Sequence, residues 1–132
     1  MTRTVLAVAV VGVMFLFSST SARAHHSYAG FTDEIVSVEG TLETVEFASP
    51  HTVLTFRAKD SVVYTAIWRA AFQLDTMGVS RTALKVGDVI VVTGTPSKDP
   101  TMHQLARLSG VRRPGDGWEW QLKDGRSSVA AR

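Results

Sequence analysis

The chain has 132 residues, no cysteine, and 14 basic against 12 acidic side chains. Without a thiol there are no disulfides, thiolate metal sites or cysteine nucleophiles, so burial alone must hold the fold together. The slight positive excess itself depends on the first 24 residues.

Those residues read as a leader. Arg3 precedes an apolar run over residues 5–17, followed by the polar Ser18-Ser19-Thr20-Ser21 and then Ala22-Arg23-Ala24. This is the charged, apolar and small-residue order of a secretory signal peptide with an A-x-A cleavage site. A membrane-spanning helix needs roughly 20 apolar residues, so the run is too short to serve as an anchor. The expectation is a signal peptide over residues 1–24, a mature chain starting at His25, and a periplasmic or secreted protein with no transmembrane anchor. Arg3 and Arg23 leave with the leader, so 12 basic and 12 acidic residues remain and the mature net charge is zero. With no positive excess, the counterion-release contribution to phosphate-backbone affinity is small, and no nucleic-acid partner is expected. A mature chain of 108 residues suffices for one core.

Residues 25–35 (HHSYAGFTDEI) show no period and read as an N-terminal arm carrying Tyr28 and Phe31. Val38, Gly40 and Leu42 then alternate with Glu39, Thr41 and Glu43, the pattern of a half-buried strand. The apolar phase slips by one after Glu43 and resumes at Val45 and Phe47, which predicts a β-bulge in a long first strand. Ala48-Ser49-Pro50-His51 is a tight corner. The second strand follows with Leu54, Phe56 and Ala58 on one face, and Lys59-Asp60-Ser61 ends it in a turn. The third, VVYTAIWR, is apolar on both faces and is placed centrally.

Here the period changes. Ala70, Ala71, Leu74 and Met77 form the stripe of a short helix, with Gly78 as its C′ residue and a further helical turn over residues 80–85. VIVVTGT over residues 89–95, ended by Pro96, is a β-branched fourth strand. Residues 102–111 read as a fifth strand with imperfect alternation, and a loop then leads to WEWQL. The order of three strands, a short helix and two strands predicts a mostly β protein, a small five-stranded OB-like barrel with the helix between strands three and four. A plain antiparallel sheet or an SH3-like barrel is the alternative. The single domain is set at residues 25–122, with a polar, disordered tail over 123–132.

The candidate site residues are the histidines, His25, His26, His51 and His103, because none lies within an apolar strand. Cleavage after Ala24 puts a free amine and an imidazole on His25, and a second histidine would complete a brace of three nitrogens. Such thiolate-free nitrogen sets suit copper(II). His51 is the first choice for the distant ligand and His103 the second. Chelation by the amine, the next amide nitrogen and His26 is the local alternative. Against these stands a merely solvated terminus and a histidine that only bonds its own turn.

Other constellations say less. Phe47, Phe56, Tyr64 and Trp68 could stack a base or sugar on a barrel face, although periodicity favours the core for most of them. Trp118 and Trp120 share a face at period two and read as a core cap or as a contact for an envelope protein partner. Glu39, Glu43 and Glu46 look like a solvated face. No nucleophile–base–orienter set and no phosphate loop is present, so no enzyme is supported.

Taken in order, His25-His26-Ser27-Tyr28, the run from Thr41 to Phe47, Pro50-His51, Trp68, Leu84-Lys85-Val86-Gly87-Asp88 and residues 91–94 resemble a family of small exported bacterial proteins known as a domain of unknown function. The resemblance covers most of residues 25–111. It departs at Ser49, where the family more often has Asn, and after Trp68, where Ala71, Phe72 and Gln73 stand in place of an acidic residue. It implies an exported protein with a small barrel-like β domain, and it implies no activity.

Overall fold

The structure, a computed structural model, describes residues 28–131; the expected signal peptide and two of the candidate ligands, His25 and His26, lie outside the described residues. The elements are β1 (Val36–Glu46), β2 (Val53–Ala58), β3 (Val63–Ile67), α1 (Ala71–Thr76), β4 (Val89–Pro96), β5 (Gln104–Arg113), β6 (Trp118–Lys123) and β7 (Arg126–Ala130). The sheet order is β3-β2-β1-β4-β5-β6-β7, and β3 also pairs with β5. That extra pairing closes the first five strands into the expected barrel, with the short helix α1 between β3 and β4.

β1 makes closure possible because it serves two neighbours. Its first half pairs with β4, from Val36 opposite Gly94 to Thr41 opposite Val89, and its second half pairs with β2. The bend between them is the bulge read from the sequence: Leu42 faces Phe56 and Thr44 faces Thr55, leaving Glu43 extra. Gly40 lets β2 close in, since a Cβ there would sit 2.5 Å from the Arg57 carbonyl oxygen. Leu42, Leu54, Phe56, Ile90, Val92, Leu105 and Val111 fill the interior.

α1 plugs one end of the barrel with Leu74, fully buried, and Ala71. It ends in a Schellman motif: Val79 N–H donates to the Leu74 carbonyl, Gly78 N–H donates to Asp75, and Gly78 has a φ of 82°. The helical turn expected over residues 80–85 is instead a run of turns. Its last residues are held by Arg113, whose guanidinium donates to the Ala83 carbonyl at 2.7 Å and to Asp88 at 2.8 Å.

The C-terminal region corrects the sequence reading. The tail expected to be disordered contains β7, which pairs with β6 from Lys123–Arg126 to Glu119–Ala130. Asp124 and Gly125 both have positive φ, 50° and 73°, the backbone of a two-residue hairpin turn that matches strand twist. β6 buries Trp118 and Trp120, the latter edge-on to Trp68 with ring centroids 5.0 Å apart. The two indoles are therefore part of the core.

Two predictions follow from this packing. Trp120→Ala is expected to lower unfolding free energy by about 3–5 kcal/mol in urea titration, whereas deleting residues 126–132 costs less. The Arg113 guanidinium, and next the Trp118 N–H, hold the Asp116 carboxyl below its usual range. A depressed carboxyl adds stability above its unfolded value that is lost as pH falls through the folded one. Asp116→Asn is therefore expected to be less stable than the wild type near neutrality, with the two melting curves converging in acid.

Candidate functional site

The barrel closes through a short seam. β3 and β5 run parallel and pair at only two positions, Thr65 with Gln104 and Ala66 with Leu105. Beyond Ala66, β3 is drawn toward the corner after β1: Trp68 N–H donates to the Thr52 carbonyl at 2.8 Å and Thr52 N–H to the Arg69 carbonyl at 2.9 Å. β5 bulges at the same level. Thr93 faces Gly110 and Thr95 faces Ala106, so Gly94 alone opposes Arg107, Leu108 and Ser109. Gly94 must lack a side chain, because a Cβ would lie 2.6 Å from the Ala106 carbonyl oxygen.

Where the strands part, a groove of about 420 Å³ opens, lined by Tyr28, His51, Trp68, Arg69, Gln73 and Arg107, with Ile67, Leu108 and Leu122. Among the described residues its lining includes two arginines and no carboxylate. Arg107 has a φ of 45°, a left-handed backbone that costs an L side chain roughly 1–2 kcal/mol. The bulge aims it here, where its guanidinium lies 5.4 Å from the Tyr28 ring centroid and donates to the Tyr28 carbonyl at 3.3 Å. Its ionic partner, Asp33, is 3.4 Å away and 99% exposed. Among the described residues Arg69 has no ion pair. Gln73 spends its amide oxygen on the Ala70 N–H at 3.2 Å, which leaves the NH₂ group. Trp68 is 3% exposed, and among the described residues its indole N–H has no acceptor.

His51 sits at the corner that follows β1. Its Nδ1 lies 3.3 Å from the Trp68 carbonyl oxygen. A carbonyl only accepts, so Nδ1–H is the donor in this contact and Nε2 takes no part in it. His103 is elsewhere. It follows the 3-10 turn Pro100–Met102 with a φ of 45°, stands edge-on to Tyr64 at 5.5 Å, and its carbonyl accepts from Thr65 N–H. His51 is tied to Trp68 and His103 to Tyr64, four residues apart along β3 and its end, or about 13 Å at strand rise. The two do not share a site. Among the described residues, no group of three or more histidines and carboxylates is poised to hold a metal.

The aromatic face considered from sequence is mostly interior. Phe47, Phe56 and Trp68 are buried, and half-buried Tyr64 stacks on Phe56. No motif marks Arg69 or Arg107, and Gln73 is marked only as part of the segment where the family resemblance departs from an acidic residue. The available signal was the broken alternation over residues 102–111, where a charged residue interrupts the apolar Leu105, Ala106 and Leu108.

If Arg107 is strained for position, Arg107→Gly, which fits a left-handed backbone, should be more stable than Arg107→Ala by about 1 kcal/mol. Both variants lose the same side-chain contacts, so paired chemical denaturation isolates the backbone effect; equal stabilities would remove it.

Residues 13–107 match the model of a "Family of unknown function (DUF6152)", a span that includes all six polar and aromatic groove residues from Tyr28 to Arg107. A search of curated proteins returned no match.

Proposed function

The chain belongs to DUF6152, a family of unknown function, and since membership carries no activity we propose a role from the groove: an exported binding module that holds copper(II) with the amine and imidazole of His25 and with Nε2 of His51. The observation that carries this reading is that Tyr28 lines the same groove as His51. Consecutive Cα atoms are 3.8 Å apart, so the Cα of His25, three residues earlier, lies within about 11 Å of that of Tyr28. Cleavage after Ala24 would place the new amine and two imidazoles within reach of a histidine whose Nδ1 faces the Trp68 carbonyl, which leaves Nε2 for a ligand. A nitrogen set without thiolate favours copper(II) by ligand type and by the Irving–Williams order.

His26 is the local alternative to His51 as third nitrogen. The guanidiniums of Arg69 and Arg107 work against a bare dication. They favour a complex whose charge is reduced by an anionic ligand or a deprotonated amide nitrogen. Copper capture also requires the amine and the imidazoles to be unprotonated, so affinity falls on acidification.

Calorimetry and EPR on protein beginning at His25, beside the same protein with one extra residue ahead of it, test the reading. The expected result is one-to-one copper(II) binding that is lost in the extended form, weakened by roughly tenfold or more (about 1.4 kcal/mol) in His51→Ala, and weaker at pH 5.5 than at pH 7.5. Equal, weak binding by both forms would contradict it.

A further inference from the structure

We infer that the groove is itself a binding site for a small organic carboxylate, an anionic head group on an apolar body, independent of any metal. The inference deepens the reading above by naming a ligand class for the same groove, and it rests on the groove rather than on copper. A volume of about 420 Å³ is that of a small-molecule site, well beyond what an inorganic ion fills. Its polar groups are nearly all donors. Among the described residues Arg69 has no ion pair, and the ion pair of Arg107 is a long contact to the fully exposed Asp33, beside its bond to the neutral Tyr28 carbonyl. Gln73 has committed its amide oxygen to Ala70, which leaves two N–H donors.

Among the described residues no carboxylate lines the groove, so these donors match a negatively charged acceptor. Guanidinium is the side chain best matched to a carboxylate, because its planar fork offers two parallel N–H bonds to two oxygens. The remainder of the lining is apolar, from Ile67, Leu108 and Leu122. Such a wall gives free inorganic phosphate nothing to bury against and accommodates a hydrocarbon or aromatic body. The strain at Arg107 fits the same purpose: a left-handed residue at a bulge persists where the surrounding structure requires its position.

Octanoate is the probe, used with octanol and inorganic phosphate as comparators, on protein carrying one extra residue before His25 and no copper, so that no terminal-amine metal site can form. Calorimetry is expected to show one-to-one octanoate binding, at least about tenfold tighter than octanol or phosphate, weakened about tenfold or more by Arg69→Gln, and falling as salt is raised. Arg112→Gln, outside the groove, is expected to leave it unchanged. In proton–nitrogen spectra of the unmutated protein, octanoate should shift the Gln73 side-chain amide and the Trp68 indole signal, a readout independent of whether any variant folds. Octanol binding as tightly as octanoate, phosphate binding as tightly as octanoate, or no shift at Gln73 and Trp68 would each overturn the assignment. Failure here alongside copper binding by the form that begins at His25 would remove the carboxylate site and leave the metal reading standing; the reverse pattern would do the opposite.

Discussion

Closure of the barrel through a seam of two residue pairs is the constraint on which the rest of this structure depends. A closed sheet leaves no edges, and closure here requires β3 to run alongside β5 in parallel. The two strands have other obligations. β3 must reach the corner at Thr52, and β5 must absorb three residues against Gly94 before pairing again with β4. They therefore meet briefly and separate, and the groove is the space left where they part.

The chemistry of that space comes from the same geometry. The end of β3 brings Trp68 and Arg69, the bulge of β5 brings Arg107, and α1 contributes Gln73. The corner contributes His51, tied to the carbonyl of Trp68. The arm is drawn in through Tyr28, which lies under the Arg107 guanidinium. The two arginines of the lining favour negative charge, as a ligand's carboxylate or, on the copper reading, as an anion that would accompany the metal. The two readings of the groove are thus electrostatically compatible: an anion lowers the cost of placing copper near the guanidiniums, and the metal does not require the anion site to be absent.

Much of the barrel was legible in sequence because it was written in periodicity. The slip after Glu43 marked the bulge, and Gly78 marked the end of α1 as C′ of its Schellman motif. The broken alternation over residues 102–111 corresponds to the bulge that opposes Gly94. The β6–β7 hairpin was missed for a different reason. β7 is an outer strand with mostly exposed residues, so composition resembled a loose tail, and only the Asp124-Gly125 turn announced it. Of the candidate site, His51 was legible from its corner. Arg69 and Arg107 were not, because what unites them is the parting of two strands distant in sequence, and no local pattern records that.

The most direct test of the account is paramagnetic broadening of the proton–nitrogen spectrum of protein beginning at His25, with substoichiometric copper(II). The account predicts that signals from Tyr28, His51, Trp68, Arg69 and Arg107 fade together, while those around His103, at the far end of β3, persist. Broadening centred on His103, or confined to the first residues of the chain with the His51 corner untouched, would contradict it.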